Sequence, residues 1–364
     1  MNMLSSNSRT RVAAANFAIV LLILYLAPAA ICYDDSHLPL SQAEVARRFP
    51  QKQLPCPDLD TASQVQIGTQ AIHLEVEDHE TAPDALYADT RLVISGKDNN
   101  GHPWKVTTGW SRLGCELFSS DLDGNGRQDL IWVSYSGALG DQPPSNLLIL
   151  LFDRDGRPVP SEFDGYFEAD VHGVKEFLDL NRNGHAELVR QSINDGYYIT
   201  SLYEARDAHW FLVRGRFGSR TYPLYTRYTS RVNHSATIPK PGRNPQYEDL
   251  SNSAILKQPP VRIEKLQWVK DKDDQRTYPT IELSDGRSCT MPAALVVDGE
   301  AGRQISMLGY TEETKQLLET IMSDKLPVRV NDPDLQEYLH RPPEKGNSSC
   351  DPKLIWAGAA PSGK

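Results

Sequence analysis

Asp121-Leu122-Asp123-Gly124-Asn125-Gly126-Arg127-Gln128-Asp129 runs straight into Leu130-Ile131-Trp132-Val133, and the same design returns at Asp179-Leu180-Asn181-Arg182-Asn183-Gly184-His185-Ala186-Glu187 ahead of Leu188-Val189. In both stretches oxygen-bearing side chains stand at positions one, three, five and nine, with Gly at position six. That Gly lets the backbone fold tightly enough for the oxygens to converge, which is the layout of a cage for a hard cation. The carbonyl at position seven, on Arg127 or His185, is placed to add a further oxygen. Side chains at positions two, seven and eight are expected to point away, so the imidazole of His185 reads as incidental and solvent-facing. Asp, Asn and Gly also favour ordinary surface turns. Two loops with one spacing, each opening onto an apolar run, weigh against that plainer reading. By contrast, Asp153-Arg154-Asp155-Gly156-Arg157 has Arg at position five and reads as a plain hairpin turn.

An EF-hand shares the opening spacing but needs a bidentate Glu at position twelve and a helix on each side. Position twelve is Trp132 in one stretch and Arg190 in the other. The stretches resemble instead the calcium loops of FG-GAP/VCBS repeats, the β-propeller modules of integrin α-subunits and of many bacterial surface proteins. The resemblance implies calcium as the cofactor. It implies Asp121, Asp123, Asn125, Asp129 and the Arg127 carbonyl for a first site. For a second it implies Asp179, Asn181, Asn183, Glu187 and the His185 carbonyl. In that family the acid at position nine closes the cage and the next residue starts a blade strand. Two loops are fewer than a closed propeller needs, so the implied fold is a partial or degenerate propeller. Site two brings two carboxylates where site one brings three, which predicts weaker binding.

The rest of the chain supports a β reading. Ile72, Leu74 and Val76 alternate with polar residues at the period of a half-buried strand. An apolar run, a polar turn and a second run recur: Leu92-Val93-Ile94, Lys97 to Gly101, Trp104-Lys105-Val106; Leu147 to Leu150, Asp153 to Gly156, Pro158-Val159; and Tyr198 to Tyr203, Ala205 to Asp207, Trp210 to Val213. Repeated antiparallel sheets of propeller-blade kind follow from that pattern. The expected fold class is therefore mainly β, with propeller-like antiparallel repeats and a small C-terminal α+β region. Residues 1–30 read as a signal peptide, 31–60 as an N-terminal segment with a short helix, and 61–230 as the repeat-bearing β domain. Residues 231–262 form a connector interrupted by Pro239, Pro241, Pro245, Pro259 and Pro260. Residues 263–345 read as the α+β domain, with its helix opening at Thr311-Glu312-Glu313 and facing inward through Leu317, Leu318, Ile321 and Met322. Residues 346–364 read as a loosely ordered tail. In the N-terminal segment, Ser41 and Glu44 form a capping box before a short helix.

Arg9 and Arg11 precede an apolar run from Phe17 to Leu26 and a small-residue stretch at Ala27 to Ala30, which together read as a cleaved export signal. The run is shorter than the ~20 residues of a membrane span. A retained anchor, or a lipid on Cys32, is the alternative. Secretion or a periplasmic location follows, with no stable span after cleavage. Losing those two arginines takes the formal charge from −10 to −12, which disfavours nucleic acid as a partner. The cysteines, Cys32, Cys56, Cys115, Cys289 and Cys350, show no C-x-x-C pair and fit disulfides in an oxidising compartment. With Cys32 outside the folded part, three pairings are open. Cys56–Cys115 with Cys289–Cys350 keeps each bridge within one proposed domain.

No H-E-x-x-H, G-x-S-x-G or phosphate-loop motif is present. Trp104, Trp110, Trp132 and Trp210 read as core before they read as a sugar-binding face. The expected function is an exported, calcium-binding, non-enzymatic module that presents a surface to a protein or glycan. The alternative is a secreted hydrolase with its site between the β domain and the C-terminal domain.

Overall fold

The computed structural model describes residues 38–57, 62–79, 89–109, 116–135, 145–194, 197–227, 255, 257–270, 277–292, 294–307, 312–331, 349–350, 352 and 354–358. The expected signal segment, Cys32, Trp110, Cys115 and most of the connector and tail lie outside these residues. Everything described belongs to one compact unit beginning at Leu38.

Three consecutive antiparallel meanders of four strands organise the chain. The first is Ala62–Ile67, Gln70–His79, Asp89–Lys97 and Pro103–Thr107. Glu116–Ser120, Asp129–Tyr135, Ser145–Phe152 and Pro158–Gly165 form the second, and Lys52–Leu54 adds to its edge. Phe177–Leu178, Glu187–Asn194, Tyr197–Arg206 and His209–Leu212 form the third. The recurring unit of the sequence corresponds to strands three and four of each meander. Both carboxylate loops join strands one and two, and in the first meander the same connection is the short turn Gly68-Thr69. Among the described residues no sheet closes on itself, so the fold shows repeated antiparallel sheets and does not show a propeller.

The meanders stack through their faces. Trp104 of the first packs on Phe152 of the second with ring centroids 5.5 Å apart, and Phe163 of the second packs on Tyr203 and Trp210 of the third at 4.9 and 5.8 Å. The second meander is thus covered on both sides. That is why Leu147 through Phe152 reads as an unbroken apolar run and is buried throughout. Trp104, Trp132 and Trp210 are core residues, so none of the three lines an exposed sugar-binding face.

The C-terminal region departs from the expected separate domain. Gly302–Met307 pairs in parallel with Pro103–Thr107, and Ala294–Gly299, Leu354–Ala357 and Val328–Asn331 follow, so the first meander grows into an eight-stranded sheet. Residues on either side of the 231–262 connector therefore share one sheet. Ala294 and Val296 face the main core, while Leu295 and Val297 face a second core closed by helix Glu312–Ser323 through Leu318 and Ile321. The helix and its buried face match the sequence reading.

The short helix Gln42–Val45 forms as expected, with the Glu44 carboxylate accepting from Ser41 N–H at 2.9 Å and Ser41 Oγ–H at 2.6 Å. Glu44 also pairs with Arg220, which ties the helix to the hairpin of Gly215–Phe217 and Arg220–Tyr222 that follows the third meander. Cys56 and Cys289 each take part in a disulfide. Cys289 lies in register with Cys350 in a parallel strand pair, while Cys115 and the Cys350 side chain lie outside the description. Among the described residues no helix is long and apolar enough to cross a membrane.

Candidate metal centre

Strand one of each meander delivers the chain to its loop and strand two takes it away, so position nine is the first residue of a buried strand. Both loops adopt one backbone path. Positions four and six are left-handed in each: Gly124 at φ +68° and Gly126 at +84°, Arg182 at +61° and Gly184 at +80°. Four hydrogen bonds repeat. The position-six N–H donates to the position-one Asp at 3.0 Å in loop one and 3.3 Å in loop two. The position-five N–H donates to position three at 3.2 and 2.9 Å. The position-seven N–H donates to the Asn at position five, at 2.8 Å in both. The position-two N–H donates to the position-nine carboxylate at 2.8 and 2.6 Å.

In loop one Asp121, Asp123 and Asp129 bring carboxylate oxygens within 4.8 Å of one another. Asp123 is 2% exposed and Asp129 fully buried. Asp129 accepts Leu122 N–H and Phe152 N–H, both at 2.8 Å, so it clamps its own loop to the third strand of the meander. Asp123 accepts the Ala208 N–H at 2.5 Å from the neighbouring meander. Asn125 donates to Asp123 at 3.0 Å and to the Phe152 carbonyl at 2.8 Å, and the Arg127 side chain reaches the Arg154 carbonyl at 2.9 Å. Buried Asp121 Oδ1 has no protein partner. Three converging acids that leave one buried oxygen without a donor can hold a metal ion.

The electrostatics agree. Burial, then the charges of Asp123 and Asp121, push the Asp129 carboxyl well above the usual carboxylate range despite its two N–H donors. Burial likewise raises Asp123 against the donors Ala208 and Asn125. Without a positive charge in the cluster, these groups favour a proton.

Loop two is more open. Asn181 and Asn183 are exposed, and Asp179 is half-buried. Asp179 Oδ1 and the Asn181 side chain both accept the Asn183 N–H, at 3.0 and 2.9 Å. Glu187 is fully buried, with Oε2 on Leu180 N–H and Oε1 without a partner. Burial first, then Asp179 and Glu204, push its carboxyl up to about 8. His185 corrects the sequence reading: its ring is half-buried, its Nδ1 lies 3.3 Å from the Ala205 carbonyl, and it packs against Gly124 of loop one. The two loops touch, also through Ala186 N–H to the Leu122 carbonyl at 2.7 Å.

Glu204, whose charge helps raise Glu187, could not be associated with the second loop from the sequence because it lies outside the nine-residue pattern. Only strand register sets it opposite Glu187. The fold and its loops define a mainly β protein with a carboxylate cluster fit for a metal ion. No family model, curated protein or solved structure matches the chain.

Proposed function

We propose that the protein is an exported calcium-binding scaffold of FG-GAP/VCBS type, with one ion in each loop and no catalytic role. One observation carries the reading: two loops with the same left-handed positions and the same four hydrogen bonds each bury a carboxylate oxygen that lacks a donor. All-oxygen donor sets of this kind suit a hard cation, and an affinity in the range ~10⁻⁴–10⁻³ M suffices outside the cell. Ligands of site one would be Asp121, Asp123, Asn125, Asp129 and the Arg127 carbonyl. Those of site two would be Asp179, Asn181, Asn183, Glu187 and the His185 carbonyl. The ion supplies positive charge that lets the buried acids ionise, and thereby ties adjacent sheets at one end of the stack. In this reading the sheets form a partial propeller that offers its surface to a protein or glycan.

Both oxygens of Asp129 are committed to backbone N–H groups, which suits holding a cation better than shuttling a proton. Thermal unfolding of the full chain with calcium and with chelator tests the reading. Chelator should lower the melting temperature, and Asp121→Ala should remove the share due to loop one. An unfolding curve indifferent to chelator would count against calcium.

A further inference from the structure

We infer that Glu204 is the third carboxylate of the second loop's cation site, supplied by a neighbouring strand instead of by the loop. This rests on the calcium reading above and deepens it.

Loop two itself brings only Asp179 and Glu187 as acids. Glu187 and Glu204 stand directly opposite each other where Glu187–Asn194 pairs with Tyr197–Arg206. Like charges so placed destabilise a strand pair. Here one partner is fully buried and keeps Oε1 without a donor. Leaving such an oxygen unsatisfied is unfavourable, and more so when it is charged. A cation between the two acids satisfies the buried oxygen and lets both carboxylates stand ionised side by side. Glu204 already reaches the loop, since its Oε1 accepts from Asn183 Nδ2 at 3.4 Å. Its other oxygen lies 3.4 Å from Arg206 Nε, with the Arg side chain 49% exposed. An ion pair that open to solvent contributes little, so the carboxylate can leave it at small cost. In the structure Asp179, Glu187 and Glu204 do not draw together as Asp121, Asp123 and Asp129 do. Binding therefore includes a swing of Glu204 from Arg206 toward Glu187.

The second meander supplies the internal control. Its Leu130–Leu150 pairing, continued by one residue, sets the buried Leu151 against Asp129. That loop has Asp123 at position three, whereas loop two has Asn181. An acid on the third strand occurs where the loop lacks one, and an apolar residue stands there where it does not. Both sites then reach three carboxylates, and the gap in affinity expected from the loops alone closes.

Calorimetric titration of the full chain carrying Asp121→Ala with calcium chloride reads the second site by itself. Glu204→Gln in that background should weaken binding roughly tenfold or more, and Glu204→Asp should recover part of the loss. In chelator, Glu204→Gln should leave the melting temperature unchanged, because without the ion Glu204 holds only long contacts to Asn183 and Arg206, each 3.4 Å. A residue that holds the strand pair together without an ion would lower it. Glu204→Leu, which copies Leu151, provides a second variant for both measurements. If the unaltered chain takes up no calcium at either loop, the calcium reading and this inference fail together. If the second loop binds calcium but both variants keep its affinity within about twofold, or both lose stability in chelator, the inference fails and the calcium reading stands.

Discussion

At neutral pH the metal-free protein keeps Glu187 largely protonated, because its carboxyl is held near 8 inside the fold against an ordinary 4.5. The sign of the linkage follows. Below about 4.5 both folded and unfolded chains carry the proton; between that value and about 8 only the folded chain does, so stability falls as pH rises. The slope approaches ~1.4 kcal/mol per pH unit at most. Chelated protein should therefore melt at progressively lower temperature from pH 5 to pH 8, and Glu187→Gln should remove the Glu187 share of that trend, leaving the part due to the buried acids of loop one. Saturating calcium should also remove it, since the ion holds the carboxylate ionised. Arg182 offers a second test at this scale. It occupies a left-handed position, φ +61°, where loop one has Gly124. Arg182→Gly should relieve strain of about 1 kcal/mol, partly offset by greater freedom of the unfolded chain, while Gly126→Ala should cost about as much. Chemical denaturation of each variant reads both. The side chains at positions one, three, five and nine were legible from spacing, whereas the two backbone donors on Asp129 and the seat of His185 against Gly124 were not.

Between elements, the hairpin ends of adjacent meanders are tied by specific hydrogen bonds. Asn99 N–H donates to the Asp155 carbonyl at 2.7 Å, and Arg157 Nε donates to Asp98 Oδ2 at 2.8 Å. Burial would raise the Asp98 carboxyl, but the Arg157 and His102 donors outweigh it and hold it at about 2. Its contribution is present above pH 4 or so and is lost as pH falls toward 2. Arg157→Ala leaves this buried carboxylate short of a donor and should cost about 1–3 kcal/mol in urea unfolding at pH 7. The loss should shrink at low pH. Turn chemistry explains one local misreading. The third hairpin turns at Asp207-Ala208, with φ +48° and +58°, and not over Ala205 to Asp207. Two left-handed residues suit a two-residue hairpin, but Asp-Ala lacks the Gly that usually announces one.

For the molecule as a whole, the parallel pairing of Pro103–Thr107 with Gly302–Met307 decides what can fold alone. A chain cut after residue 262 leaves the Pro103–Thr107 edge open and takes Val296, Ile305, Met307, Leu354 and Trp356 out of the main core that they share with Leu92, Ile94, Trp104 and Val106. That fragment should aggregate or be digested rapidly, as size-exclusion chromatography and limited proteolysis would show; a monomeric, protease-resistant fragment would contradict the shared sheet. By itself the sequence determined the β character, the two carboxylate loops and the amphipathic helix Glu312–Ser323, because each depends on spacing within one short segment. Tertiary structure alone decided that the C-terminal strands join the first meander and that Glu204 faces Glu187. Those facts depend on strand register and on contacts between residues far apart in the chain, where a pattern of nearby residues carries no information.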